Sequence, residues 1–305
     1  DCLGGNVEDK DIWEKQRNDI LEIVELFRDG KELGSIIKID KEYNYDGLIK
    51  FVKSIDNRDV LPIELIGIES TQGDLIYIIK LAKVLSSKYE IVVTNPPYLG
   101  RRHMGANLTK YLDKEYKDTK ADLFTVFMEK CDELLKLDGY YGMINQHSWM
   151  FLSSFENYRK GMISSSNIIS MLHLGARAFE EISGEVVQST TFIIKKNKIK
   201  GYVGPCIRLI DFNNAIKKEE KTLEAIENPD CGYYYEANGD NFELIPGSPI
   251  AYWASDRIYK IFGEGTPMGK LFPVKKGSDT GANYKYLRNF YELNFNDLGI
   301  YLENG

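Results

Sequence analysis

Residues 95–98, Asn-Pro-Pro-Tyr, follow directly on the apolar run EIVVT at 90–94. That run reads as a strand, and proline cannot donate to a sheet ladder, so the strand ends at Asn95. Each proline has a fixed φ and holds the residue before it extended, giving a stiff elbow whose carbonyls meet no competing donor. Asn95 adds an amide oxygen, and Tyr98 adds a flat aromatic face. Two acceptors beside one stacking plane suit an exocyclic amino group on a planar ring. Such a nitrogen is a poor nucleophile because its lone pair is delocalised. Hydrogen bonds from the amine to Asn95 and to the Pro96 carbonyl would draw it toward tetrahedral geometry. Its electron pair would then be free to attack a methyl donor, through positioning and fixed dipoles without a general base. In a duplex the base must first leave the stack, and stacking on Tyr98 would offset part of that cost. The alternative is purely conformational, because NPP sequences also end strands in ordinary turns. The strand before it, the helix after it and the N-P-P-Y order favour the chemical reading.

Positioning such an elbow takes a sheet with its layers of helix. Residues 9–28 carry Ile12, Ile20, Ile23, Val24 and Phe27 at helical spacing. SIIKI at 35–39 reads as a short strand, and 73–88 as a helix feeding the strand at 89–94. After a polar loop, RRHMGANLT, a long helix is expected over ADLFTVFMEKCDELLKLDG, with Gly139 as its C-cap. Then come a strand (YYGMIN), a turn (QHSWM), a helix (SSFENYRKGM), a strand (IISMLHL), a loop (GARAFEEISGE) and a strand (VVQSTTFIIKK). Strands separated by helices of this length imply βαβ units and a parallel sheet with helices on both faces. The last two strands lack a helix between them, so they should form an antiparallel pair at the sheet edge. The active face of this α/β layer should lie at the carboxyl ends of the strands. Beyond residue 200 helical patterning weakens and Gly, Pro, Asn and Tyr rise. The expected organisation is a helical or mixed segment at 1–88, part of a catalytic domain at 89–200, a linker or insertion at 201–250, and a new unit at 251–305.

The 305 residues, 43% hydrophobic and 28% charged, can bury a substantial core. No run approaches the ~18 apolar residues of a membrane span, and the N-terminus shows no secretory pattern. Cys2, Cys131, Cys206 and Cys231 are scattered without CxxC or Cys/His pairing, so no zinc site and reduced cytoplasmic thiols are expected. The net charge of −7 argues against a sequence-independent nucleic-acid coat but permits one local basic face.

The NPPY turn at the end of a strand resembles the catalytic motif of the gamma-type, adenine-specific DNA methyltransferases. KADLFTVFMEKCDELLKLDGYYGMINQHSW at 120–149 is similar to that family's next helix, strand and turn. The block from MFLSSFENYRKGM to MLHLGARAFEEISGEVVQSTTFII resembles the PglX methyltransferases of bacterial phage-defence (BREX) systems, with restriction-modification methyltransferases as relatives. GSDTGANYKYLRNFY, from Gly277, resembles the opening of the target-recognition domain. The resemblance implies a partial Rossmann-like, S-adenosylmethionine-dependent methyltransferase fold, with double-stranded DNA and other defence-system proteins as partners. By position, Asn95 and Pro96 would hold the target amine, with Pro97 completing the turn, and Tyr98 would stack on the adenine. Phe179 falls where the family places a second aromatic against the flipped base; its alternative is a loop ring capping the core. Asp122 and Phe124 fall in the motif that helps wall the donor pocket, although an acid at a helix N-terminus is common for other reasons. The family's glycine-rich donor turn and the acidic residue that comes after it are not found in the sequence. An internal fragment of a larger methyltransferase is therefore expected, one that by itself binds S-adenosylmethionine poorly.

Arg101 and Arg102 follow the elbow on the side DNA would approach, and phosphate contact competes with a solvated loop as their role. Lys275 and Lys276 carry the same pair of readings. His103, His147 and His173 form no metal or triad pattern and read as separate loop or strand histidines. Trp149 reads as core, and the acids Glu180, Glu181 and Glu185 should keep their loop away from phosphate. Two other functions share these features: methyl transfer to protein glutamine or RNA guanine, and a catalytically inactive DNA-binding subunit of a defence complex.

Overall fold

The computed structural model describes residues 7–54, 62–179 and 187–273. Lys275, Lys276, the segment from Gly277 and the three acids at 180, 181 and 185 lie outside the described residues. Residues 1–263 form one compact unit and 264–305 a second, of which the described part carries the single-turn helix Met268–Leu271.

Helices α1 (Val7–Leu26), α2 (Gly30–Leu33), α3 (Tyr45–Ser54) and α4 (Pro62–Ser86) lead into β1 (Tyr89–Thr94). Next come α5 (Ala106–Glu115), α6 (Leu123–Leu134), β2 (Leu135–Gln146), α7 (Glu156–Ser165), β3 (Ser166–Gly175) and β4 (Ser189–Lys196). The chain continues through β5 (Val203–Arg208), α8 (Ala215–Glu227), β6 (Tyr234–Asn238), α9 (Asp256–Glu264) and α10 (Met268–Leu271). The six strands form one sheet in the order β1-β2-β4-β3-β5-β6. β1, β2, β3 and β5 run the same way, and β4 and β6 run against them. The carboxyl ends of four strands therefore share one side of the sheet.

Three local expectations are corrected. SIIKI forms no strand: a 3-10 turn covers Gly34–Ile36, and Ile36 and Ile37 are both buried, against the alternation of a half-buried strand. Their carbonyls accept from side chains and not from a ladder, Ile36 from Tyr116 Oη at 2.6 Å and Ile37 from Lys130 Nζ at 2.9 Å. Gly139 caps no helix, because α6 stops at Leu134 and β2 begins at once. A Cβ on Gly139 would sit 2.9 Å from the Glu90 carbonyl, so glycine there lets β1 approach β2 closely. The antiparallel β3–β4 pair exists but lies inside the sheet, since β5 adds parallel to β3 and β6 antiparallel to β5. The compositional change near residue 200 thus does not end the sheet, and residues 203–238 continue it. Their 13-residue helix α8 is N-capped by Asn214, which accepts from Lys217 N at 2.8 Å.

The main core lies on the sheet face covered by α6 and α7. Phe124, Met128 and Cys131 meet Tyr141, Met143, Ile194, Met162 and Trp149 there. The opposite face is covered by α8 over β3 and β5, where Ala225 packs on Ile207 and Leu209. Over β1 and β4 that face is open: Ile91, Val93 and Ile193 are exposed, and Val93 and Ile193 flank the small Gly142 between them. Helices α1, α3 and α4 have a separate core of Ile20, Ile23, Leu48, Val52 and Ile79. Among the described residues no helix is long and apolar enough to cross a membrane.

Candidate active site

Thr94, the last residue of β1, pairs with Met143 on β2, and the elbow starts beyond it. Asn95 and Pro97 are exposed, Pro96 is buried and Tyr98 is half-buried. The Asn95 side chain and the Pro96 carbonyl make no hydrogen bond within the described residues. The Tyr98 ring stands edge-on against Phe124, centroids 6.1 Å apart at 83°, and burial raises its hydroxyl pKa. Its Oη is 3.5 Å from the Ile144 carbonyl, at the outer limit of a hydrogen bond.

The chain leaving the elbow is tied to the start of α6. Leu123 N donates to Leu99 O at 3.0 Å and Arg101 N to Ala121 O at 3.1 Å, a short antiparallel bridge centred on Gly100 and Asp122. Asp122 is the N-cap of α6: one carboxylate oxygen accepts from Leu99 N at 3.1 Å and Phe124 N at 3.4 Å. Burial raises its pKa, opposed by those amides. One carboxylate therefore starts the helix and fixes the exit of the turn. Phe124 is wholly buried, with its ring between Tyr98 and Phe155. These two residues brace the elbow.

Arg101 grips both oxygens of Asp113 through Nη2, at 3.0 and 2.8 Å, and together with Lys120 holds that carboxyl down to about 2. Arg102 is exposed. Phe179, 38% exposed, lies beyond the end of β3, on the side of the sheet where the elbow sits. Among the described residues no cluster of three or more His, Cys, Asp or Glu could hold a metal.

Two of the three histidines read separately in the sequence are joined in the fold. His147, just past β2, places Nδ1 2.7 Å from Nε2 of His173 on β3, and His173 Nδ1 lies 2.9 Å from Tyr252 Oη. Trp253 and Phe151 pack beside them. Below this group Arg159, 1% exposed, donates to the carbonyls of Trp149, Leu152, Gly247 and Ser248. Trp149 itself is core, its ring 5.0 Å from Phe192. No local pattern announces these contacts; the available signal was that His147 and His173 both fall near carboxyl ends of expected strands.

Comparison with known proteins matches residues 9–179 to the family described as Eco57I restriction-modification methylase. The chain is 42% identical over 275 residues to the adenine-specific methyltransferase PglX of Lacticaseibacillus casei, covering 90% of this chain and 23% of that protein. It is 36% identical over 279 residues to the adenine-specific methyltransferase BrxX of Escherichia coli O9:H4, covering 91% and 22%. This chain thus spans under a quarter of the length of either relative. Among solved structures, the methyltransferase subunit of a type I restriction-modification system from Streptococcus thermophilus is 17% identical with a TM-score of 0.38, covering 52% of this chain and 36% of that one.

Proposed function

The chain belongs to the Eco57I restriction-modification methylase family, and on that premise we propose that its Asn95–Tyr98 elbow presents the N6 amino group of a flipped adenine for methylation in double-stranded DNA. The observation that carries this reading is the pair of unspent acceptors, the Asn95 amide and the Pro96 carbonyl, beside a half-buried ring braced by Phe124. Adenine offers both amine hydrogens to that pair and its ring face to Tyr98. The nitrogen lone pair is then less delocalised and would form the new N–C bond as the sulfonium–methyl bond of the donor breaks and leaves a thioether, with one amine proton passing to solvent water. Fixed acceptors that need no reorganisation are an efficient way to lower such a barrier. S-adenosylmethionine supplies the methyl group in this reading. The names of the PglX and BrxX relatives support adenine as the target.

Phe179 is the second aromatic for the extruded base, and Arg102 contacts phosphate. Arg101 serves the DNA side indirectly, by fixing the loop through Asp113. Asp122 and Phe124 brace the elbow and help wall the methyl-donor pocket. The reaction serves phage defence or restriction-modification, alongside other proteins of such a system.

The test is tritiated methyl transfer by the full-length protein to duplex DNA, with a release factor and ribosomal RNA as competing acceptors. Label on N6 of adenine in DNA, lost in Asn95→Ala, is the expected result. Label on glutamine or on guanine would move the reading to the other substrates of this motif. No label on any acceptor would favour a DNA-binding subunit.

A further inference from the structure

The aromatic group beyond β3 and β5 has no part in the reaction above. Trp253 is 41% exposed, yet it is held from several sides. His173 lies beneath it, centroids 6.5 Å apart at 30°, Phe151 meets it at 5.7 Å, and Tyr252 meets it edge-on at 4.9 Å. The Arg208 guanidinium stands 5.8 Å from the ring centre. Besides these rings, the support includes a polar chain, Tyr252–His173–His147, in which Tyr252 and His173 are buried and His147 is half-buried; its hydrogen bonds fix the ring orientations. Burial depresses both imidazole pKa values, His173 to about 3, so both rings are neutral at pH 7. The segment that carries Tyr252 and Trp253 is itself pinned, through Ile250 N to Met150 O at 2.9 Å and through the Arg159 clamp on Gly247 and Ser248.

We propose that Trp253, flanked by Arg208, is a second stacking surface that takes an unpaired base of the DNA. This rests on DNA being the substrate. A rigid, half-open indole beside a guanidinium is the usual equipment for gripping a base without reading its sequence. Arg208 is paired with Asp211 at 3.5 Å, and that carboxylate is 75% exposed. The Arg208 side chain is itself 29% exposed, so seating a base there requires the guanidinium to move off the ring together with its pairing to Asp211. A base seated between the two groups needs about 7 Å, twice the ~3.4 Å rise between stacked bases. Trp253 and Tyr98 also stand on the same side of the sheet. His173, beneath Trp253, is on β3, three strand positions from β1, or about 14 Å at ~4.8 Å per strand. One stretch of DNA opened around a flipped adenine reaches both. A closed duplex exposes no free base face, so the surface acts on DNA whose pairing has been opened.

The experiment needs no methyl donor. The full-length protein is titrated by fluorescence anisotropy with a labelled duplex containing a short unpaired stretch, and with the same duplex fully paired. Trp253→Ala should weaken binding to the unpaired probe about tenfold and leave the paired probe within about twofold. Trp253→Phe should recover most of the loss, and Arg208→Gln should lie between. Equal affinity of wild type and Trp253→Ala for the unpaired probe would overturn the proposal, as would an equal loss on both probes. Should Trp253→Ala fold poorly, photocrosslinking of 5-iodouracil from the unpaired stretch decides instead: a crosslink at Trp253 supports the surface, and none rejects it. Asn95→Ala should lower methyl transfer about 10²- to 10³-fold while keeping the Trp253-dependent part of the preference for the unpaired probe, so the two readings fail separately.

Discussion

Two aromatic side chains, Tyr98 and Trp253, stand on the same side of one sheet and are held in opposite ways. Tyr98 is set by its own sequence neighbourhood: two prolines before it, and Asp122 and Phe124 at the start of the next long helix. Trp253 is set by Phe151, His173 and Arg208, which come from three distant parts of the chain. Function and stability are separable at the elbow and joined at Trp253. The Asn95 amide is exposed and without a hydrogen bond among the described residues, so it can be altered without touching the core. The support of Trp253 is core, so altering it unsettles the fold as well.

The largest effect should come from breaking that support. Arg159 satisfies four carbonyls, at 2.6 to 3.2 Å. Arg159→Leu leaves the carbonyls of Trp149, Gly247 and Ser248 short of donors, while Leu152 O keeps Phe155 N, and at ~1 kcal/mol or more for each one kept from water the loss is about 3–4 kcal/mol. A thermal melt should fall by about 10 °C or more. A fall of under about 3 °C would show that water replaces the clamp.

Asn95→Ala tests the other side of the contrast. It should lower methyl transfer about 10²- to 10³-fold, as the loss of one preorganised polar group does elsewhere, while the melting temperature stays within about 1 °C. A matching loss of stability would mean that Asn95 is structural and that the elbow and the Trp253 support are alike.

Asp122 lies between these extremes. Asp122→Ala removes the cap of α6 and the bond to Leu99 and should cost about 1–2 kcal/mol in a denaturant titration. Asp122→Asn keeps the acceptor and discards the charge that burial disfavours. The sign comes from the raised pKa: the folded chain holds this proton more tightly than the unfolded one, so stability declines as pH rises through the window above the ordinary carboxylate value. That decline should be smaller in Asp122→Asn, measured by melts between pH 4 and 7.

The same contrast explains what the sequence disclosed. The elbow, β1, the β3–β4 pairing and the core placement of Trp149 rest on proline chemistry, periodicity and turn signals, all of which act within a few residues. SIIKI misled because its carbonyls are satisfied by Tyr116 and Lys130 from other elements, a solution that no window of the sequence contains. Gly139 misled because its need is the approach of the Glu90 carbonyl on another strand, and not a helix end. His147, His173 and Tyr252 were invisible as a group for the same reason, since their bonds exist only after β2 and β3 share a sheet and the 245–252 segment has packed.

The smallest effect is expected at the Tyr98 hydroxyl. If Tyr98 works through its ring, its hydroxyl should matter little, because the 3.5 Å contact to the Ile144 carbonyl is at the limit where a hydrogen bond still counts. Tyr98→Phe keeps the edge-on contact with Phe124 and should change stability by no more than about 0.5 kcal/mol and methyl transfer by under about threefold. The neighbouring ring gives the matched control: Tyr252→Phe removes a hydroxyl 2.9 Å from His173 and should cost about 1–1.5 kcal/mol in the same melt. Equal losses from the two substitutions would mean that Tyr98, too, is placed by a polar bond, and the division between a locally built elbow and a tertiary aromatic support would not hold.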